Sequence, residues 1–333
     1  MKRRLATQSV ELSGGAQPHM SKQSVVPSTP SPSGQKRANG LGFLRCATPF
    51  FYILPALLPL LFFTYLPLLR TFQLSLYEWN MVSPQWRFVG VENYHTLLTG
   101  EEFWLAGWNT ILYVVGMLVF SVVAPLTLAV LLTRVTGGLQ TLYKGILFSP
   151  AVISFAVAAI TWLWIFNPID GVLNRLLLDL GATGPSWLNN PRWVIPSILV
   201  ICSWKLIGYN FVIFAAGLAG IPNEFYDAAK VDGASGFQQF WRISWPLLSP
   251  TTFFVLVTTV IYADQQTLIP IQILTQGGPN KASTNLVYLI FQYGFQFFET
   301  GTASALATLV FLLFITVTLV QQKLLERFVH YGL

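Results

Sequence analysis

Long apolar runs, separated by short polar segments, set the pattern of this chain from residue 49 onward. A helix needs about 20 such residues to cross the hydrocarbon core of a bilayer. Six runs meet that length: 49–69, 105–133, 145–166, 193–220, 247–274 and 302–322. A further run, 283–298, is apolar but short and reads as a packed or interfacial helix. The predicted fold class is therefore all-α, a polytopic membrane protein with six transmembrane helices. Residues 1–45 break the pattern, being rich in Ser, Pro, Gly, Gln, Lys and Arg with no apolar periodicity. They are expected to form a disordered tail ahead of a transmembrane domain at 46–333. No apolar core follows the early basic residues, so the tail does not read as a secretory signal; Met20 is an alternative start.

Composition supports this reading. Hydrophobic residues make up 53% of the chain and charged residues 10%, with a mean hydropathy of +0.57. Soluble domains carry about 25% charged residues, so a water-facing surface cannot be built here. The net charge of +6 resides in the tail, where seven basic residues oppose Glu11. No folded basic face accompanies it, which argues against nucleic acid as a partner. A positive tail before a first span is expected on the cytoplasmic side. With the tail inside, the inner segments add Arg134, Lys144, Lys230, Arg242, Lys323 and Arg327, against Arg70, Arg87, Arg175, Arg192 and Lys281 outside. An even number of spans then places both termini in the cytoplasm.

Cys46 and Cys202 are the only cysteines, which excludes a disulfide framework. His19, His95 and His330 lie far apart, so no metal site is expected.

The segment 221–246, between the fourth and fifth spans, is longer than a connection requires. It reads as two helical pieces joined at Asp232-Gly233. Asn223 follows Pro222 as a cap for the first. Ser235 and Gln238 form a capping box for the second, and Pro246 is expected to end it. Pieces of about ten residues are not stable alone in water, so both must pack on something. Small residues (Ala228, Ala229, Gly233, Ala234, Gly236) beside Phe225, Tyr226, Phe237, Phe240 and Trp241 suit insertion into a groove of another protein. Packing on the chain's own spans is the alternative.

The series Asp227-Ala228-Ala229-x-x-Asp232-Gly233-Ala234, followed by Phe240 and Pro246, resembles the EAA loop of binding-protein-dependent ABC importer permeases. Gly217-Leu218-x-x-Ile221-Pro222 before it and Thr275-Gln276-Gly277-Gly278-Pro279 after the fifth span are similar to the carbohydrate branch, the maltose and glycerol-phosphate permeases. The resemblance covers roughly residues 50–325 and leaves the tail out. It implies that Asp227, Ala228, Ala229, Asp232, Gly233 and Ala234 form the ATPase-coupling element, with cytoplasmic coupling helices seated in a cleft of a separate ATPase. Asp227 stands where the family usually has Glu. Leu268-Ile269, followed by Pro270, stands where it usually has Phe-Asp.

The implied partners are a second, homologous permease, an ABC ATPase dimer, an extracytoplasmic solute-binding protein and the lipid bilayer, with a sugar as substrate. The location implied is the inner or plasma membrane of a bacterial or archaeal cell. The dipeptide Gly-Lys, needed for a Walker A phosphate loop, is absent. No cofactor is expected in this chain, and ATP and Mg belong to the partner ATPase. The chain reads as a conduit working by alternating access, and not as an enzyme.

Polar groups within spans point to function. Helical spacing places Val260, Ala263, Asp264 and Thr267 on one face of the fifth span. By resemblance that face lines a sugar path, joined from the fourth span by Tyr209 and Asn210. Lys205 reads either as an ion-pair partner of Asp264 or as a side chain snorkelling outward. A secondary transporter driven by an ion gradient is the alternative. It would require inverted repeats and an intramembrane ion site.

Overall fold

The computed structural model describes residues 52–133 and 135–328. The predicted tail, Cys46, His19, His330 and Arg134 lie outside them. The chain divides into two units after Leu60. The described part of the first opens the helix Tyr52–Leu74, and its side chains are all exposed. The second unit contains the remaining elements.

Among the described residues, five helices are long and apolar enough to cross a membrane: Tyr52–Leu74, Glu101–Leu132, Val194–Ala219, Ser249–Thr275 and Thr300–Leu324. These are spans one, two, four, five and six. The third apolar run is not one rod, as the pattern suggested. It forms Gly138–Val152 and Phe155–Ile165, bent by 98°. Pro150 sits in the last turn of the first half, Ile153 and Ser154 are extended, and the Ser154 hydroxyl caps the second half by accepting from the Val157 amide. Hairpin strands β1 (Tyr77–Glu78) and β2 (Arg87–Phe88) pair antiparallel, and a helix follows at Glu92–Thr99. The short run near 283–298 holds the helix Leu286–Phe291 and a π-helical turn, Gln292–Gln296, too short together to span.

A broken helix exposes carbonyls that hydrocarbon cannot solvate. Lys205 supplies the missing donors. Its ammonium reaches the carbonyls of Pro150 at 3.2 Å, Ala151 at 3.5 Å and also Ile153. Three protons meet three acceptors, and a cation at a helix C-terminus is electrostatically favoured. The same ammonium lies 4.6 Å from the centre of the Phe155 ring. Lys205 is buried, so it does not snorkel outward, and its ammonium serves these carbonyls rather than the Asp264 carboxyl. Gly208, one turn on, lets span four reach the first half of span three. A Cβ there would fall 2.5 Å from the Leu147 carbonyl oxygen.

Three prolines in spans two, three and five are answered in the same way. Proline lacks the N–H that would bond the carbonyl four residues earlier. For Pro125 that carbonyl is Ser121, and the Asn210 amide donates to it at 3.1 Å. For Pro150 it is Ile146, reached by the Ser149 hydroxyl at 2.9 Å. For Pro270 it is Gln266, reached by the Cys202 thiol at 3.8 Å, and beyond Pro270 the helix widens into a π turn, Ile271–Thr275. Spans two, four and five thereby enclose a core of Tyr113, Met117, Ile198, Cys202, Ala263 and Tyr288.

Two outcomes follow from these contacts. Lys205→Met removes all three donors and should lower stability in detergent by about 3 kcal/mol, since each stranded acceptor costs about 1–3 kcal/mol. Thermal unfolding of the purified chain reads the effect, and an unchanged midpoint contradicts it. Asn210→Leu should cost about 1 kcal/mol beside Pro125 and far less beside Pro125→Ala, which restores the backbone donor. A double-mutant cycle without coupling would contradict the assignment.

Candidate functional site

The segment between spans four and five folds as two helices in register with the sequence, differing at its ends. The first is Asn223–Val231. Pro222 holds the cap position and the Asn223 side chain caps nothing, because Asn223 is already inside the first turn. The far end closes as a Schellman turn. The Ala234 amide bonds the Ala229 carbonyl at 2.9 Å, and the Gly233 amide bonds Lys230 at 3.1 Å. Gly233 has φ +73°, a conformation that costs other residues about 1–2 kcal/mol. No atom of the described chain lies within 4 Å of a Cβ placed there. Its requirement here is therefore backbone conformation, and the turn faces open space.

The second helix starts with the capping box of Ser235 and Gln238. Pro246 does not end it. The chain runs through a π-helical turn, Phe240–Ser244, and on through Trp245–Leu247 toward span five. The wide turn immediately before the proline absorbs its missing hydrogen bond.

Burial divides the aromatic residues of this segment into two sets. Tyr226 and Phe240, with Ile243 and Trp245, pack against Leu126, Phe211, Phe214 and Leu248 of the membrane domain. The Tyr226 hydroxyl and the Ser244 hydroxyl are 2.9 Å apart and tie the two helices together. Phe225, Phe237, Trp241 and Val231 are exposed, Phe237 at 73% and Val231 at 88%. Asp227 and Lys230 form an exposed pair at 2.9 Å, worth at most about 1 kcal/mol. Asp227 and Ala228 are exposed, and so are Asp232 and Gly233; Ala229 and Ala234 are half-buried.

A second feature lies at the break in span three. A cavity of about 360 Å³ is bounded by Ser154, Phe155, Lys205, Tyr209, Tyr262 and Gln266, among others. Aromatic rings, an amide and a hydroxyl converge on it. Of the residues expected to line a path, the structure brings Tyr209 here and not the others. Asn210 is committed to the Ser121 carbonyl. Val260, Ala263, Asp264 and Thr267 are buried on the opposite side of span five. Thr267 accepts from the Asn285 amide at 2.7 Å, and the same amide reaches the Asp264 backbone carbonyl at 3.3 Å. The Asp264 carboxyl oxygens have no hydrogen-bond partner among the described residues.

Helical spacing puts Gln266 on another face than Asp264, and Tyr262, one turn before it, carries no signal of its own in the sequence. Their i, i+4 spacing on the neighbouring face was the available signal. Ser154 was hidden by the assumption of an unbroken third span.

The comparisons agree with this architecture. The family model described as "Binding-protein-dependent transport system inner membrane component" matches residues 97–331. The sn-glycerol-3-phosphate transport system permease protein UgpA of Agrobacterium fabrum is 32% identical over 284 residues, covering 85% of this chain and 96% of its own. The arabinooligosaccharides transport system permease protein AraP of Bacillus subtilis is 30% identical over 308 residues, covering 92% and 97%. A chain of a bacterial ABC transporter involved in import of the acidic polysaccharide alginate superposes with a TM-score of 0.76 at 23% identity, over 87% of this chain and 99% of that one. That last likeness concerns the fold. The family is one of transport permeases rather than enzymes. On the strength of the family model and of relatives matched along nearly their whole length, the chain belongs to the inner membrane components of binding-protein-dependent transport systems.

Proposed function

We propose that this chain is a permease subunit of an ATP-driven importer for a carbohydrate, with both termini in the cytoplasm. The observation that carries the reading is the two-faced helix pair at 223–247. Tyr226 and Phe240 root it in the membrane domain, while Phe225, Phe237, Trp241 and the open Gly233 turn point away. An exposed aromatic face on helices already rooted in the membrane domain marks a surface for another protein. A cytoplasmic ATPase dimer, using ATP and Mg of its own, is the partner that fits. A second permease and an extracytoplasmic solute-binding protein complete the assembly.

Mechanically the segment is a lever. The π turn at Phe240–Ser244 and the helical continuation through Pro246 join it to span five without a flexible loop. Motion of the ATPase is thereby passed to span five, whose Tyr262 and Gln266 wall the cavity. Alternating access then opens that cavity to either side in turn. The glycerol-phosphate and arabino-oligosaccharide systems named among the relatives support a carbohydrate or polyol derivative as cargo. Tyr209 and Tyr262 offer stacking faces for a sugar ring, and the Gln266 amide both donates and accepts. Val260, Ala263, Asp264 and Thr267 stand behind this wall and hold its shape.

Two experiments check the reading. In cells carrying the complete transport system, Gly233→Trp should abolish sugar uptake and ATPase co-purification at unchanged membrane abundance. Uptake that persists would overturn the importer reading and favour an ion-gradient transporter. In reconstituted vesicles, Gln266→Ala should raise the sugar concentration for half-maximal transport by about tenfold, the scale of losing one well-made hydrogen bond. An unchanged value would place the sugar elsewhere.

A further inference from the structure

We infer that a cleft between the β1–β2 hairpin and the start of span six is a second carbohydrate subsite, selective for uncharged sugars. The cleft measures about 750 Å³, within the range of ligand sites. It rests on the carbohydrate reading above and, by the proposed orientation, opens on the outer face.

Its walls are rigid. The Trp79 carbonyl accepts from the Thr300 amide at 3.0 Å. The Asn93 amide bonds the carbonyls of Ser75 at 2.8 Å and Tyr77 at 3.0 Å. The Trp79 indole N–H is held by the Ser83 carbonyl at 2.8 Å, and its ring lies 5.0 Å from that of Trp86 at 36°. Trp79 is thus a fixed aromatic wall whose own donor is already spent, leaving its ring to meet a ligand.

The polar groups around it remain available. Asn80 uses its side-chain oxygen on the amides of Val82 and Ser83, which leaves its NH₂ as a donor into the cleft. Gln85 makes no side-chain hydrogen bond among the described residues and offers both a donor and an acceptor. Glu92 and Glu299 line the cleft with no ion-pair partner among the described residues, whereas Glu78 and Arg87 neutralise each other. An aromatic wall, amide donors and carboxylate acceptors match a polyhydroxylated ring. The two uncompensated carboxylates repel phosphate and uronate groups. No group of described carboxylates here is arranged to hold a metal ion. A neutral sugar is the ligand class that remains. This selectivity differs from the anionic cargo named for the glycerol-phosphate and alginate relatives.

The test uses the full chain assembled with its partner subunits in nanodiscs, which expose both faces, without the solute-binding protein. Saturation-transfer NMR is recorded with maltotriose, raffinose and xylotriose as neutral probes, and with glycerol 3-phosphate and an alginate trisaccharide as anionic ones. At least one neutral probe should receive transfer and neither anionic probe should. Gln85→Ala, which removes a side chain with no hydrogen bond among the described residues, should weaken the neutral signal about fivefold, and Trp79→Ala at least tenfold. The double variant Glu92→Gln/Glu299→Gln should admit the anionic probes. Overturning results are no transfer to any neutral probe, equal transfer to anionic probes in the unaltered protein, or a neutral signal abolished by Tyr262→Ala but untouched by Gln85→Ala. ATPase co-purification is read on the same preparation. Its loss sinks the importer reading, while retention without neutral-sugar transfer sinks the cleft alone.

Discussion

A backbone carbonyl in hydrocarbon must find a donor within the protein, and the architecture of this chain follows from how that requirement is met at its breaks. The third span bends by 98°, and one ammonium, that of Lys205, satisfies the carbonyls of Pro150, Ala151 and Ile153 at the break. Gly208 brings span four close enough for that reach. Asn210 and Cys202 on the same span answer the carbonyls freed by Pro125 and Pro270. Span four is thus the donor column against which three neighbouring spans can be irregular. Irregularity is what leaves room for the open cavity at the break in span three.

The same economy governs the helix pair between spans four and five. A proline that would end an isolated helix is carried past by a π turn, so the segment joins span five as a continuous lever. The Schellman turn at Gly233 folds the two helices back on each other, and the Tyr226–Ser244 contact locks them. In the proposed coupling role, the exposed aromatic face is the docking surface and the buried one the root in the membrane domain.

Five membrane-length helices are legible in the sequence because hydropathy over about 20 residues is a strong signal, and the third run is legible as apolar but not as broken. The capping box at Ser235 was equally plain, since it is local. What escaped was decided by contacts between distant residues. Lys205 read as an ion-pair partner or a snorkelling cation because nothing near it in sequence reveals a broken helix 52 to 55 positions away. Pro150 was visible, but a proline alone does not say whether a helix kinks gently or breaks. Asp264 reads as a path residue because a carboxyl in an apolar run is costly, and the structure buries it away from the cavity. Its neighbours Tyr262 and Gln266, ordinary by comparison, face the cavity. Polarity identifies which residues are costly in a membrane; only packing identifies which side of the helix meets the void.

The claim that the cavity beside Lys205, and not the Asp264 face, forms the aqueous path is tested most directly by thiol accessibility in native membranes. Single cysteines at Tyr209, Asp264 and Gln266 would be introduced into a Cys46→Ser/Cys202→Ser background, which keeps a hydroxyl donor opposite the Gln266 carbonyl. A charged, water-borne thiol reagent should modify the cysteines at 209 and 266 and leave the one at 264 intact. Rapid modification at 264 with protection at 209 and 266 would contradict the account.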